Sequence, residues 1–301
     1  MSLFNSGKGR GKSWVPGILA AGLLFSVSCI SAFAVDEPKV TAEVPSPLAA
    51  EPAQSEGGHP VPPRQQWSFA GPFGKYDRAQ LQRGFQVFRE VCSNCHSAKF
   101  LAFRNLADPG GPHFSEAQVK ALAATYKVKD GPNDAGEMFE RPGRPSDYFP
   151  WVFANPQAAV SALGALPPDM SVLAKARTYQ RGFPLFLLDP IIQYQEHGAD
   201  YIYALLNGYT HPDDPSWNEF MPGHKIGMPK PLSDGLVAYT DGAPQTAEQY
   251  AKDVTAYLMW MAEPKLEDRK KYGFRVIAFL IVFAGMLYFV KRRVWSDVHG
   301  H

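Results

Sequence analysis

In the stretch EVCSNCHSAKF, Cys92 and Cys95 stand three residues apart and His96 follows at once. C-x-x-C-H is the attachment pattern of a c-type haem. The spacing has a chemical reason. Two thiols add to the two vinyl groups of one porphyrin, which sit on adjacent pyrrole rings, and two intervening residues let one turn of chain reach both. The next residue then lies close under the iron, which makes His96 the proximal ligand. A thioredoxin-like redox pair also reads C-x-x-C, but that pair follows a strand and opens a helix, whereas this one ends a helix. A zinc site needs four ligands, and the chain has only three cysteines, with no second pair. A Cys92–Cys95 disulfide would close a very small loop and add little on the loop-entropy argument. The motif occurs once, so the pattern predicts one haem c.

His/Met ligation suits electron transfer, whereas an open iron site suits catalysis or gas binding. Of the eight methionines, most read as core filler. Met259 and Met261 fall on a late helix and Met286 in an apolar span. Met228 differs. It lies in HKIGMPKPL between Gly227 and Pro229, on a loop that cannot be helical. Gly and Pro hold such a loop rigid and let it approach a flat ring. Met228 is therefore the expected sixth ligand, with His224 and Met221 as rivals.

These residues need elements to hold them. Asp77 caps a predicted helix, with Gln80 in capping-box position. Leu81, Phe85 and Phe88 then form one apolar face leading into Cys92. Gly84 within that helix costs about 1 kcal/mol relative to Ala, which points to the close approach of another backbone. Residues 105 to 168 are rich in Pro and Gly and read as loops, pinned by Phe139, Tyr148, Phe149 and Trp151. Short helices are expected over Ser171–Arg177 and Asp200–Asn207, the latter stopped by Gly208. Thr246 and Gln249 form a second capping box. Tyr250, Val254, Tyr257, Leu258 and Met261 give the next helix one face, and it ends at Glu263-Pro264.

Flanking segments set the compartment. Lys8, Arg10 and Lys12, the apolar run Trp14–Phe33 and the A-x-A site Ala32-Phe33-Ala34 read as a signal peptide over 1–34; a retained N-terminal anchor is the alternative. Cys29 lies upstream of that site. Residues 35–66 are rich in Pro, Ala and Glu and read as a flexible arm. Residues 67–266 form the predicted exported domain. Val276 to Val290 carries no charge, and extension back to Gly273 approaches the roughly 20 residues that cross a bilayer. Residues 273–290 are thus a transmembrane anchor and 291–301 a cytoplasmic tail. The formal net charge of +1 gives no electrostatic case for nucleic acid.

Several stretches together resemble the cytochrome c1 family, the haem-bearing subunits of the cytochrome bc1 complex: RGFQVFREVCSNCHS, DGPNDAGEMFERPGRPSDYFP, GALPPDMSVLAKAR, DYIYALLNGY, IGMPKPL and DVTAYLMWMAEPK before a single anchor. The resemblance runs from about Trp67 to the C-terminus. It implies a mainly α fold, a class I cytochrome c core with long loop insertions and one C-terminal transmembrane helix, in which the first and last core helices cross. It implies thioethers at Cys92 and Cys95 and iron ligands at His96 and Met228. It sets Arg177 and Tyr201 near a haem propionate and packs Pro168 by the haem. It further implies cytochrome b and a Rieske iron–sulfur protein as partners in a dimeric complex, and a soluble c-type cytochrome as acceptor. The location implied is a bacterial inner membrane with the haem domain in the periplasm. A free-standing membrane-anchored carrier is the alternative, and a haem enzyme or gas sensor a third class. The chain departs from the family between Arg177 and Tyr201, where the link is longer than in mitochondrial members and carries the apolar run Phe183–Leu188. Asp213, Asp214 and Glu219 are loop acids that could face a docking cytochrome.

Overall fold

The computed structural model describes residues 61–179, 187–189 and 196–296. The expected signal peptide, Cys29, nearly all of the arm, most of the 178–199 insertion and the end of the tail lie outside the described residues.

Helix α1 spans Arg78–Glu90, and the Asp77 carboxylate accepts from the amides of Ala79 (2.9 Å) and Gln80 (3.2 Å). Its buried face carries Leu81, Gly84, Phe85 and Phe88. Helix α6 (Ala247–Ala262) starts at Thr246, whose hydroxyl accepts from the Gln249 amide at 3.3 Å. Neither expected capping box closes. The side chains of Gln80 and Gln249 turn instead to the Asp253 carboxylate, at 3.2 and 2.8 Å. Asp253 is wholly buried in α6, and Arg83 of α1 meets it at 2.8 Å. A buried carboxylate needs such partners, because an unpaired one costs several kcal/mol. That demand outcompetes the caps.

The two helices cross at Gly84, with Phe85 and Phe88 against the Tyr257 ring at 5.7 and 5.6 Å. Phe88, Tyr250, Tyr257 and Trp260 are all within 1 % of full burial. Each large apolar side chain buried here contributes roughly 1.5–3 kcal/mol.

The segment expected to be loops holds short elements. Helix α2 (Glu116–Ala124) has a closed Ser115/Gln118 capping box. Strands β1 (Lys127–Asp130) and β2 (Phe139–Pro142) pair antiparallel, Lys127 opposite Pro142 and Asp130 opposite Phe139. Helix α3 (Pro156–Leu163) starts on an Asn155 cap and stops at the left-handed Gly164. Only Phe149 of the four expected pins belongs to the core, its ring tilted against that of Phe103 at 4.2 Å. Phe139 and Tyr148 are exposed, and Trp151 is half-buried.

Helix α4 is shorter than expected, Leu173–Ala176. Helix α5 starts earlier, at His197, and runs to Asn207. A Cβ at Gly198 would lie 1.9 Å from the Ala174 carbonyl, so only glycine lets α5 begin against α4. Asp200 is no helix-start signal; its carboxylate accepts from the Trp67 indole at 2.7 Å and the Gln65 amide at 3.0 Å.

Helix α7 (Leu266–Val294) is one continuous run whose apolar stretch is exposed throughout. Its 29 residues reach about 43 Å at 1.5 Å per residue, beyond the roughly 30 Å of a hydrocarbon core. An apolar surface of that length facing outward is suited to lipid.

Candidate functional site

Cys92 to Asn94 form a single tight 3-10 turn at the end of α1. The amides of Cys95 (3.1 Å) and His96 (2.9 Å) both donate to the Cys92 carbonyl, so the two thiols and the imidazole spring from one knot of backbone. The sulfurs are not bonded to one another. Burial, with Cys95 adding to it, pushes the Cys92 thiol up to about 12. Redox and metal-binding cysteines need the opposite shift, towards thiolate. A neutral thiol in an apolar wall suits addition to a vinyl carbon.

His96 Nδ1 lies 2.8 Å from the Pro168 carbonyl. A carbonyl only accepts, so Nδ1 carries the hydrogen and Nε2 keeps its lone pair. Burial lowers the imidazole pKa, against the pull of that hydrogen bond and of Asp169, and keeps the ring neutral. Nε2 has no hydrogen-bond partner among the described residues. This is the state a metal requires: neutral imidazole, tautomer set by a second partner.

Sequence reasoning missed the device that holds Pro168 in place. Asp169 accepts from the Ser97 hydroxyl (2.7 Å), the Lys99 amide (3.0 Å) and the Ser171 amide (2.9 Å). The Met170 amide donates to the Ser97 carbonyl at 2.8 Å. Desolvation would raise the Asp169 pKa, but the hydrogen bonds from Ser171, Ser97 and Lys99 outweigh it and hold the carboxyl below its usual range. Trp151 adds a second brace, its indole donating to the Cys95 carbonyl at 2.9 Å. The only sequence signal was position: Asp169 directly follows the proline pair.

Met228 is half-buried, and its carbonyl accepts from the Tyr209 hydroxyl at 2.9 Å. Burial raises that phenol to about 12, so it stays a donor. A Cβ at Gly227 would be in ordinary contact, 3.5 Å, with Ala165, three residues before Pro168. The Met228 loop therefore lies against the segment that holds His96. Each of the two rivals has a neighbour of its own. The His224 ring stacks on Trp217, 4.4 Å between centroids and 8° between planes. The Met221 sulfur is 3.9 Å from the Tyr201 hydroxyl.

Arg177 is exposed at the end of α4, and Tyr201 is half-buried on the adjoining α5. Burial raises the Tyr201 pKa while the nearby Arg177 charge lowers it, which puts the two in one neighbourhood. Asp214 is bound by Lys225 and Ser216 and is held at about 2, so it braces its own loop.

Apolar side chains next in the chain to the bracing residues stand open: Val152 follows Trp151, Leu166 precedes the proline pair and Val172 follows Ser171, and the three are 44–56 % exposed. Such apolar side chains, in the same segments as a neutral imidazole, two thiols and a thioether, fit one flat apolar macrocycle with a soft metal-binding centre. Among the described residues no three His, Cys, Asp or Glu side chains group as a metal site, which leaves the zinc reading without a ligand set there. The fold and donor set are those of a c-type cytochrome domain carried on a membrane helix.

The sequence profile of the Cytochrome C1 family matches residues 67–298. A cytochrome b/c1 of Bradyrhizobium diazoefficiens is 57 % identical over 256 residues, 82 % of this chain and 37 % of that protein. The chain thus spans little more than a third of that relative. Cytochrome c1 of Blastochloris viridis is 50 % identical over 260 residues, 83 % of this chain and 92 % of that protein. A mitochondrial relative from Solanum tuberosum, named cytochrome c1-2, heme protein, is 40 % identical over 242 residues, 78 % and 85 % of the two chains. The chain belongs to the cytochrome c1 family.

Proposed function

We propose that the chain holds one haem c covalently through Cys92 and Cys95 and relays single electrons within a quinol–cytochrome c oxidoreductase. The haem supplies reversible one-electron exchange at iron. The residues supply the rest. His96 and Met228 would hold the iron between them, so no substrate bond would be made or broken at this subunit. The Pro168 carbonyl fixes the plane of the imidazole. Arg177 and Tyr201 would hold a propionate by charge and hydrogen bond. The electron comes from a Rieske iron–sulfur protein and leaves to a soluble c-type cytochrome. Cytochrome b carries the quinol chemistry in the same dimeric complex. Residues 273–290 cross a bacterial inner membrane once, with the haem domain in the periplasm and residues 291–301 in the cytoplasm.

The observation that carries this reading is the His96 Nδ1–Pro168 hydrogen bond, which leaves Nε2 available beside a C-x-x-C turn. The test is a reduced-minus-oxidised visible spectrum of the protein purified gently from detergent-solubilised membranes. Bands of b-type haem beside the c-type band, about two to one, support membership of a bc1-type complex. A c-type band alone after several mild detergents would make the chain a free-standing membrane-anchored carrier.

A further inference from the structure

The turn between the core and α1 has no role in the site, yet it is built with care. Phe69 is buried and stacks on Trp67 at 5.3 Å. Four residues later Phe73 is 77 % exposed. Between them the chain folds tightly back on itself. Gly71 takes a φ of +68°, and a Cβ at Gly74 would lie 2.1 Å from the Ala70 carbonyl, so no side chain fits there. The Lys75 amide closes the turn on the Ser68 carbonyl at 2.9 Å.

This turn is fastened to α7. The Lys270 ammonium donates to the carbonyls of Phe69 (2.6 Å) and Gly74 (3.4 Å), the two ends of the turn. The Tyr76 amide donates to the Glu267 carboxylate at 3.0 Å. The Tyr76 hydroxyl reaches the Met259 and Glu263 carbonyls, each at 3.2 Å. The tip goes further along the same helix. The Phe73 ring meets that of Phe274, 6.1 Å between centroids and 62° between planes. Phe274 is four residues past Lys270, about 6 Å further along the axis. The base of the turn is therefore tied at Lys270, and its tip points along α7 towards the uncharged run that starts at Val276. From Ala70 to Gly74 the turn has no charged residue. Lys75 follows it in the chain, and Lys271 and Arg275 stand on either side of Phe274 in the sequence of α7, with long cationic side chains of the kind that reach back to headgroups.

We infer that the Ala70–Gly74 turn is a second membrane foot: Phe73 enters the bilayer interface beside α7, together with Phe274 and Tyr272. Tyr and Trp concentrate at that depth, and interfacial elements bury Phe on their apolar side. Two contacts fix what a single helix cannot, the tilt of the haem domain over the membrane. Lipid is the occupant because the tip is level with the start of the lipid-facing run and continuous with it. The inference rests on α7 being the membrane span, and its test separates the two.

Phe73 is replaced by the photo-crosslinking analogue p-benzoylphenylalanine in the full chain, in native membranes. The same analogue goes at Leu280 on the span and at Lys120 on the exposed face of α2 as references. After irradiation the chain is analysed by mass spectrometry. The expected result is a gain of one phospholipid mass at positions 73 and 280 and none at 120. A polypeptide adduct at 73, or none while 280 gives lipid, would overturn the foot and leave the span standing. Absence of lipid at both 73 and 280 would overturn both.

Discussion

The carbonyl oxygen of Asp253 lies 2.1 Å from the place a Cβ on residue 84 would occupy, and the Cβ of Tyr257 lies 2.7 Å from it. At Gly84 the helices α1 and α6 touch backbone to backbone. Gly84→Ala sets two effects against each other. Helix propensity gains up to about 1 kcal/mol. Overpacking against an immobile backbone costs typically 1–3 kcal/mol, sometimes more. Backbone at 2.1 Å cannot give way as a flexible side chain would, so the cost wins. Gly84→Ala should lower the Tm of the holoprotein by several degrees and reduce its yield. An unchanged Tm would show that the crossing relaxes.

Acid should loosen one part of the domain first. Asp147 receives Arg141 through two nitrogens, at 2.6 and 3.0 Å, and the Arg144 amide at 2.7 Å. The Arg141 hydrogen bonds are the main cause that holds its carboxyl at about 2, against an ordinary 3.8. A carboxyl depressed on folding contributes stability that is complete above its unfolded value and is lost as pH falls through its folded value. Protection of the β1–β2 amides against hydrogen exchange should hold from neutral pH to about 4 and fall between there and about 2. Arg141→Gln should lower protection at neutral pH and flatten that acid step. A step that survives the substitution would point to another carboxyl.

Asp169 touches neither sulfur nor imidazole, and acts through Ser97, Lys99 and Ser171. Asp169→Ala frees three donors and lets Pro168 drift from His96. Each buried donor left unmet costs about 1–3 kcal/mol. The expected outcome is a lower Tm together with a higher reduction potential, because a loosened imidazole hydrogen bond makes the ligand less basic and so favours the oxidised iron less. Asp169→Asn keeps the acceptor oxygen and should recover part of the potential. A lower Tm with an unmoved potential would make Asp169 structural only.

What could be read from the sequence was local. The C-x-x-C-H turn, the Gly–Met–Pro loop, the apolar faces of α1 and α6 and the glycine between them declare themselves by spacing or by flanking residues. What could not be read depends on partners far along the chain. Trp151 braces Cys95 across 56 positions, Lys99 meets Asp169 across 70, and Asp253 draws Gln80 across 173. No local pattern encodes such contacts. The short elements between 105 and 168 stayed hidden because they bury so little. Helix α2 buries only Val119 and Ala123, and neither strand has a buried residue. With few buried positions the periodicity has nothing to register, and Pro and Gly dominate the reading.

The sharpest comparison is between two methionines seven residues apart. Met228 sits on a loop tied by Tyr209 and lying against Ala165, near the segment that holds His96. Met221 points its sulfur towards the Tyr201 hydroxyl. If Met228 supplies the sixth ligand, Met228→Leu removes the thioether that favours the reduced iron. The reduction potential should then fall by on the order of 0.2 V, within the roughly 0.8 V that axial ligands command. The reduced protein should also gain carbon monoxide binding, since one iron position opens. Met221→Leu keeps the apolar volume and loses only a weak sulfur acceptor, so its potential should stay near that of the parent and carbon monoxide should not bind. Redox titration and carbon monoxide difference spectra of the two variants decide the matter. The opposite pattern would move the ligand to Met221, and carbon monoxide binding by the unaltered protein would leave the sixth position open and favour a catalytic or gas-binding haem.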